Sequence, residues 1–227
     1  RDESFRDEWG IGWRRPGREG FYFDVDACPY ADTGPEAARS APVPDGGAPF
    51  RFARMAEDLD RANGLEAGLV LNGFCSGALE LVTRLIGYED ALVDLVTDPD
   101  RVGGWLDRIV EAKMQYWEKA LRLSAGRAAV AVEVDDLGTQ QGLLMSRELY
   151  RSVLMPRHRR LFSFIRQCDP GVRIFFHTCG SVREVLPDLI DAGVDILNPV
   201  QTSAAGMDPA ALKREFGRDL VFWGGGV

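Results

Sequence analysis

Between residues 68 and 223 the chain alternates short apolar runs with helical segments, and no other feature restricts its fold as much. The runs Gly68 to Asn72, Ala129 to Asp135, Val172 to Phe176, Val194 to Leu197 and Leu220 to Trp223 read as five strands. The segments between them carry helix signals. Ala78 to Ile86 follows a loop at Gly73 to Gly77; Asp98-Pro99-Asp100 opens a long helix to about Leu123; Ser146 and Ser181 stand as caps; and Asp208-Pro209 starts another helix. Strands that alternate with helices pair in parallel, because each crossover returns the chain to the same end of the sheet. Ahead of this region, Phe52, Met55, Ala56 and Leu59 recur at helical spacing within Phe50 to Asn63. Residues 1–49 form a separate region, with an extended pair at Trp9 to Arg14 and Gly20 to Val25 around Pro16-Gly17, then a proline-rich loop from Ser40 to Pro49.

Every strand ends on polar chemistry: Asn72, Asp135 with Asp136, His177 with Cys179, Asn198 with Gln201, and the glycines after Trp223. Reactive groups at successive strand tips suit a (β/α)8 barrel, whose site gathers all its tips at one end, better than an open sheet with one switch point. Residues 50–227 therefore read as a partial TIM barrel. A full barrel takes about 250 residues, so five strands make an unclosed arc, expected to self-associate through its free edges. The opening Arg1-Asp2-Glu3 reads as the middle of a longer protein.

Three groups of residues carry candidate chemistry. His177 and Cys179, two apart at a strand tip, project to one side of an extended backbone, and imidazole and thiolate are the side chains zinc prefers. The alternative is a hydrogen-bonded histidine beside a small buried thiol. In Ala129 to Asp136, Glu133 and Asp135 share one strand face and the valines the other. A carboxylate on a buried face is costly unless it binds something, so Glu133 or Asp135 is a candidate catalytic base or substrate ligand, or else a helix cap or ion-pair partner. Asn72, Asp136, Asn198, Gln201, Gly224 and Gly225 are candidate substrate contacts, the glycines because they let a ligand approach the backbone closely. His158, inside Arg157-His158-Arg159-Arg160, reads as a solvated surface group, and Cys75 and Cys168 as structural.

A net charge of -8 repels nucleic acid and anionic membrane surfaces and leaves a small-molecule substrate as the expected partner. No apolar run approaches the length of a membrane span. The four scattered cysteines show no framework spacing, which is the usage of a cytoplasmic protein with reduced thiols.

Taken together, Phe176-His177-Thr178-Cys179-Gly180-Ser181, the run from Leu189 to Gln201, Gly206-Met207-Asp208-Pro209 and Trp223-Gly224-Gly225-Gly226-Val227 resemble the uroporphyrinogen decarboxylase superfamily, nearest its cobalamin-dependent methyltransferase branch. Asn72-Gly73-Phe74, Gly87-Tyr88-Glu89-Asp90, Asp135-Asp136-Leu137-Gly138 and Asp7-Glu8-Trp9-Gly10 are weaker echoes. The resemblance implies an eight-stranded barrel of which strands three to seven are present. It also implies a zinc site in which His177 and Cys179 are two ligands and a later cysteine, beyond Val227, is the third. The implied reaction moves a methyl group between a corrinoid protein and a thiol or methoxylated substrate. Porphyrinogen decarboxylation is the alternative, although Gly77 to Thr83 lacks the tyrosine that resemblance would place there. A non-catalytic barrel that only binds a tetrapyrrole or corrinoid is a second alternative.

Overall fold

A computed structural model of the chain describes residues 3–17, 20–64 and 68–224. At its centre is a five-stranded parallel sheet in sequence order: β4 (Leu69–Asn72), β5 (Ala128–Val134), β6 (Arg173–His177), β7 (Ile196–Asn198) and β8 (Val221–Phe222). Before it lies a separate antiparallel sheet of β1 (Glu3–Arg6), β2 (Gly12–Arg15) and β3 (Asp24–Ala27). The helices are α1 (Pro35–Ser40), α2 (Ala53–Arg61), α3 (Ala78–Ile86), α4 (Tyr88–Thr97), α5 (Pro99–Ser124), α6 (Arg147–Leu149), α7 (Met155–Cys168), α8 (Leu186–Ala192) and α9 (Pro209–Phe216). A π-helical turn at Tyr150–Leu154 joins α6 to α7. The strands fall where the apolar runs predict them, so the sheet is the expected unclosed arc.

Strand register shows which residues share a face. Val132 lies beside Phe175, which lies beside Ile196; Val134 lies beside His177, which lies beside Asn198. Neighbours in a parallel pair point the same way, so these residues and Asn72 form one face of the sheet. The other face, with Ala131, Ile174, Phe176 and Leu197, is fully buried beneath the helices. Burial of this layer against the helices helps drive the parallel sheet to form.

Local chemistry sets the helix ends. Asp98 accepts the Arg101 backbone N–H and Pro99 fills the first helical position, so α5 starts where the sequence predicts. Ser146 caps α6 through the Leu149 N–H, and Asp208 caps α9 through the Ala211 N–H. Ser181 does not cap a helix, contrary to expectation: its hydroxyl donates to the Ala205 carbonyl, and α8 begins at Leu186 after a 3-10 turn. The expected hairpin forms between β2 and β3, with β1 added on the far side of β2. Asp7 shapes that β1–β2 turn, one carboxylate oxygen accepting the N–H groups of Trp9 and Ile11 and the other the Trp13 indole. Among the described residues no helix is long and apolar enough to cross a membrane.

Candidate functional site

Three loops meet at the C-terminal ends of β5, β6 and β7. Asp136 leaves β5, His177 and Cys179 close β6, and Asn198 closes β7. His177 and Cys179 converge as the two-residue spacing predicts, with Sγ 3.4 Å from Nε2. Asp136 joins them: one ligand atom from each of the three residues can be chosen so that all lie within 4.8 Å of one another. The separation of Asp136 Oδ1 from His177 Nε2 is 4.0 Å.

The histidine is aimed by its neighbour. Nδ1 donates to Asn198 Oδ1 at 2.6 Å, and the Asn198 amide donates in turn to the Trp223 carbonyl at 2.7 Å. That pair of bonds fixes both the ring orientation and the tautomer, which leaves the Nε2 lone pair directed at Cys179. The carboxylate is tied to the same loop, since Asp136 Oδ1 accepts the Cys179 N–H at 2.7 Å. Burial pushes the Cys179 thiol up to about 11, with the Asp136 charge and hydrogen bond adding to the effect. An unliganded Cys179 therefore keeps its proton at neutral pH.

Close backbone packing holds the three loops in register. Gly180 has φ +87°, and a Cβ there would lie 2.4 Å from the Gly138 carbonyl carbon. Ser181 N–H donates to the Thr139 carbonyl, Leu137 N–H to the buried Thr178 hydroxyl, and Gly180 N–H to Gln201 Oε1. Asn198 and Gln201, expected to touch substrate, thus hold a histidine and a loop. Asn72 ends β4 on the same sheet face, and its carbonyl accepts the Tyr116 hydroxyl. Gly224, at φ +90°, lies where a Cβ would stand 3.1 Å from the Asn198 amide, so its place too is beside the histidine's support. Gly225 lies outside the described residues.

Glu133 and Asp135 occupy the opposite face. Glu133 is buried with Lys113 Nζ at 2.7 Å and the Trp117 indole at 2.6 Å, both from α5. Asp135, fully buried, accepts the N–H groups of Leu79 and Glu80 at the start of α3 and lies 3.3 Å from His158 Nε2. Of the two alternatives open for these carboxylates, their geometry is that of an ion pair and a helix cap. His158 is no surface group: it is 3% exposed, packed between Phe162, Phe176 and Tyr150, and linked to the Tyr150 hydroxyl. The i, i+4 placement of His158 and Phe162 on the apolar side of α7 was the available signal; the flanking arginines obscured it. Cys75 is also held in this layer, its thiol pushed up to about 11 by burial. Cys168 is exposed.

The residues present fit a zinc ion. A tetrahedral ion with Zn–N near 2.0 Å and Zn–S near 2.3 Å places its nitrogen and sulfur about 3.5 Å apart, which the observed 3.4 Å matches. The carboxylate stands wider, with Asp136 Oδ1 4.0 Å from Nε2.

A parallel βα arc whose soft and hard metal-binding side chains gather at the C-terminal strand tips defines a protein of the TIM-barrel type. A family model, Uroporphyrinogen decarboxylase (URO-D), matches residues 39–224. The chain belongs to this family. Among solved structures it is similar to a methyltransferase from Methanosarcina mazei, with TM-score 0.61 and 19% identity, over 88% of this chain and 55% of that one. The chain thus spans about half the length of that protein, and the likeness establishes the fold. No curated protein matches the chain.

Proposed function

We propose that this URO-D-family chain belongs to an enzyme that transfers methyl groups, with a zinc ion held by His177 and Cys179 and with Asp136 beside them as a further ligand. The observation that carries the reading is the 3.4 Å approach of Cys179 Sγ to a His177 Nε2 whose ring is locked by Asn198. When bound, zinc supplies Lewis acidity, which stabilises a substrate thiolate near neutral pH. The protein's own groups do the remainder. Asn198 keeps Nδ1 protonated so that Nε2 would be the ligand, Cys179 would bind as the thiolate with its proton passing to solvent, and the Cys179 N–H steadies Asp136. The methyl group moves between a corrinoid protein and a thiol or methoxylated small molecule.

The test is zinc content by atomic emission after purification under reducing conditions. About one equivalent is expected for the parent chain, and His177→Ala and Cys179→Ala should each lose it while keeping the parent's circular dichroism spectrum. A zinc-free parent protein sinks the reading. Porphyrinogen decarboxylation is favoured only by the description of the matching family model. Conversion of uroporphyrinogen to coproporphyrinogen would establish it instead.

A further inference from the structure

A cavity of about 630 Å³ opens beside the candidate metal centre, with Asp136 in its wall. Its other walls come from three places: Leu79, Thr83 and Tyr88 on or next to α3, Leu144 in the loop after β5, and Val25 with Cys28 at the end of β3. The last two precede residue 39, so this wall is built by a segment outside the family match. The volume is that of an ordinary small-molecule site.

The polar groups in the walls decide what such a site accepts. Among the described residues lining it, Arg84 is the one cation, and it is already engaged: it donates to Ser76 Oγ at 2.7 Å and to Glu80 Oε1 at 3.1 Å, and stacks over the Trp13 ring. Two carboxylates, Glu80 and Asp136, face the same space. Burial raises the Glu80 carboxyl above its ordinary range, and the charges of Asp135 and Asp136 add to the rise against the Gly77 N–H and the Arg84 charge. A bound carboxylate would lose its hydration with no free cation among the described lining residues to replace it. A neutral body packed on Val25 and Leu144 suffers no such loss. Thr83 and Thr139 already donate to the Glu80 and Gly142 carbonyls, which leaves the Tyr88 hydroxyl to donate to an ether or alcohol oxygen.

We propose that this groove binds an uncharged, mainly apolar small molecule of about the size of a substituted aromatic ring, and that the β3 segment shapes it. The proposal rests on the reading of Asp136, His177 and Cys179 as the reacting centre, whose substrate it would narrow to a neutral methoxylated or thiol compound.

Isothermal titration calorimetry of the full chain with a matched pair of probes tests it. Saturable binding of 4-methoxybenzyl alcohol is expected, with 4-methoxybenzoate weaker by about tenfold. Thr83→Trp and Leu144→Trp, which fill the groove from α3 and from the loop after β5, should each abolish alcohol binding while circular dichroism stays that of the parent. Three results overturn the proposal: benzoate binding as tightly as the alcohol, saturable binding of neither probe, or parent-like binding by both tryptophan variants. Zinc analysis of the same samples separates this from the metal reading. Zinc-free protein that still prefers the alcohol removes the metal and leaves the groove; zinc-loaded protein with the order inverted removes the groove alone.

Discussion

Asn198 is the residue on which the candidate site turns, because its two hydrogen bonds convert a strand-end histidine into an aimed ligand. Replacing it with leucine keeps the size but removes both bonds, and the imidazole is then free to rotate and to exchange tautomers. Loss of such outer partners typically weakens a metal site about 10- to 100-fold. Competition against a fluorescent chelator should show Asn198→Leu at the lower end of that range or beyond, with thermal stability little changed. Parent-like affinity would mean that the ring is held by its packing alone. At this scale the sequence was informative about residue types, and the hydrogen-bond partners came from the tertiary structure. His177 and Cys179 meet as their spacing predicts, whereas Asn198 and Gln201 serve the site from behind, and Glu133 and Asp135 turn to the helices.

The helices are tied to one another by buried polar contacts, and Asp188 on α8 is the clearest case. It receives Arg147 Nε at 2.5 Å and Arg151 Nε at 2.7 Å from α6 and the π turn. Burial alone would raise the Asp188 carboxyl; the two arginine hydrogen bonds outweigh it and hold the group below its ordinary range. A carboxyl depressed in the folded state stabilises the protein above its unfolded pKa, near 3.9, and that contribution disappears as pH falls through the unfolded and then the folded value. Asp188→Asn should therefore be less stable than the parent by about 1.5 kcal/mol at pH 7. In urea titrations the gap should close as the pH drops below about 4. A gap that persists unchanged at pH 3 would show that packing, and not charge, is what Asp188 contributes.

At the scale of the whole molecule, β4 and β8 are each paired on one side only among the described residues, and Val70, Val221 and Trp223 are about half exposed along these edge strands or just beyond. Unpaired strand edges with apolar neighbours invite pairing with another chain. Size-exclusion chromatography with light scattering should give a mass above 25.1 kDa that rises with protein concentration; a concentration-independent monomer would contradict this. The amino-acid order alone sufficed for the five-strand alternation, the caps at Asp98, Ser146 and Asp208, and the meeting of His177 with Cys179, because each depends on spacing along one element or on a residue and its immediate neighbours. The six-residue α1 escaped that reading, since few apolar positions fit into fewer than two turns, and so did the ten-residue α4, which follows α3 directly after Gly87. Side-chain partners from distant segments were decided only by packing. Asp136 reaches the Cys179 loop, Lys113 answers Glu133 across 20 residues, and β3 closes a groove against α3, because through-space contacts follow from how the βα units stack and leave no periodic trace in the chain.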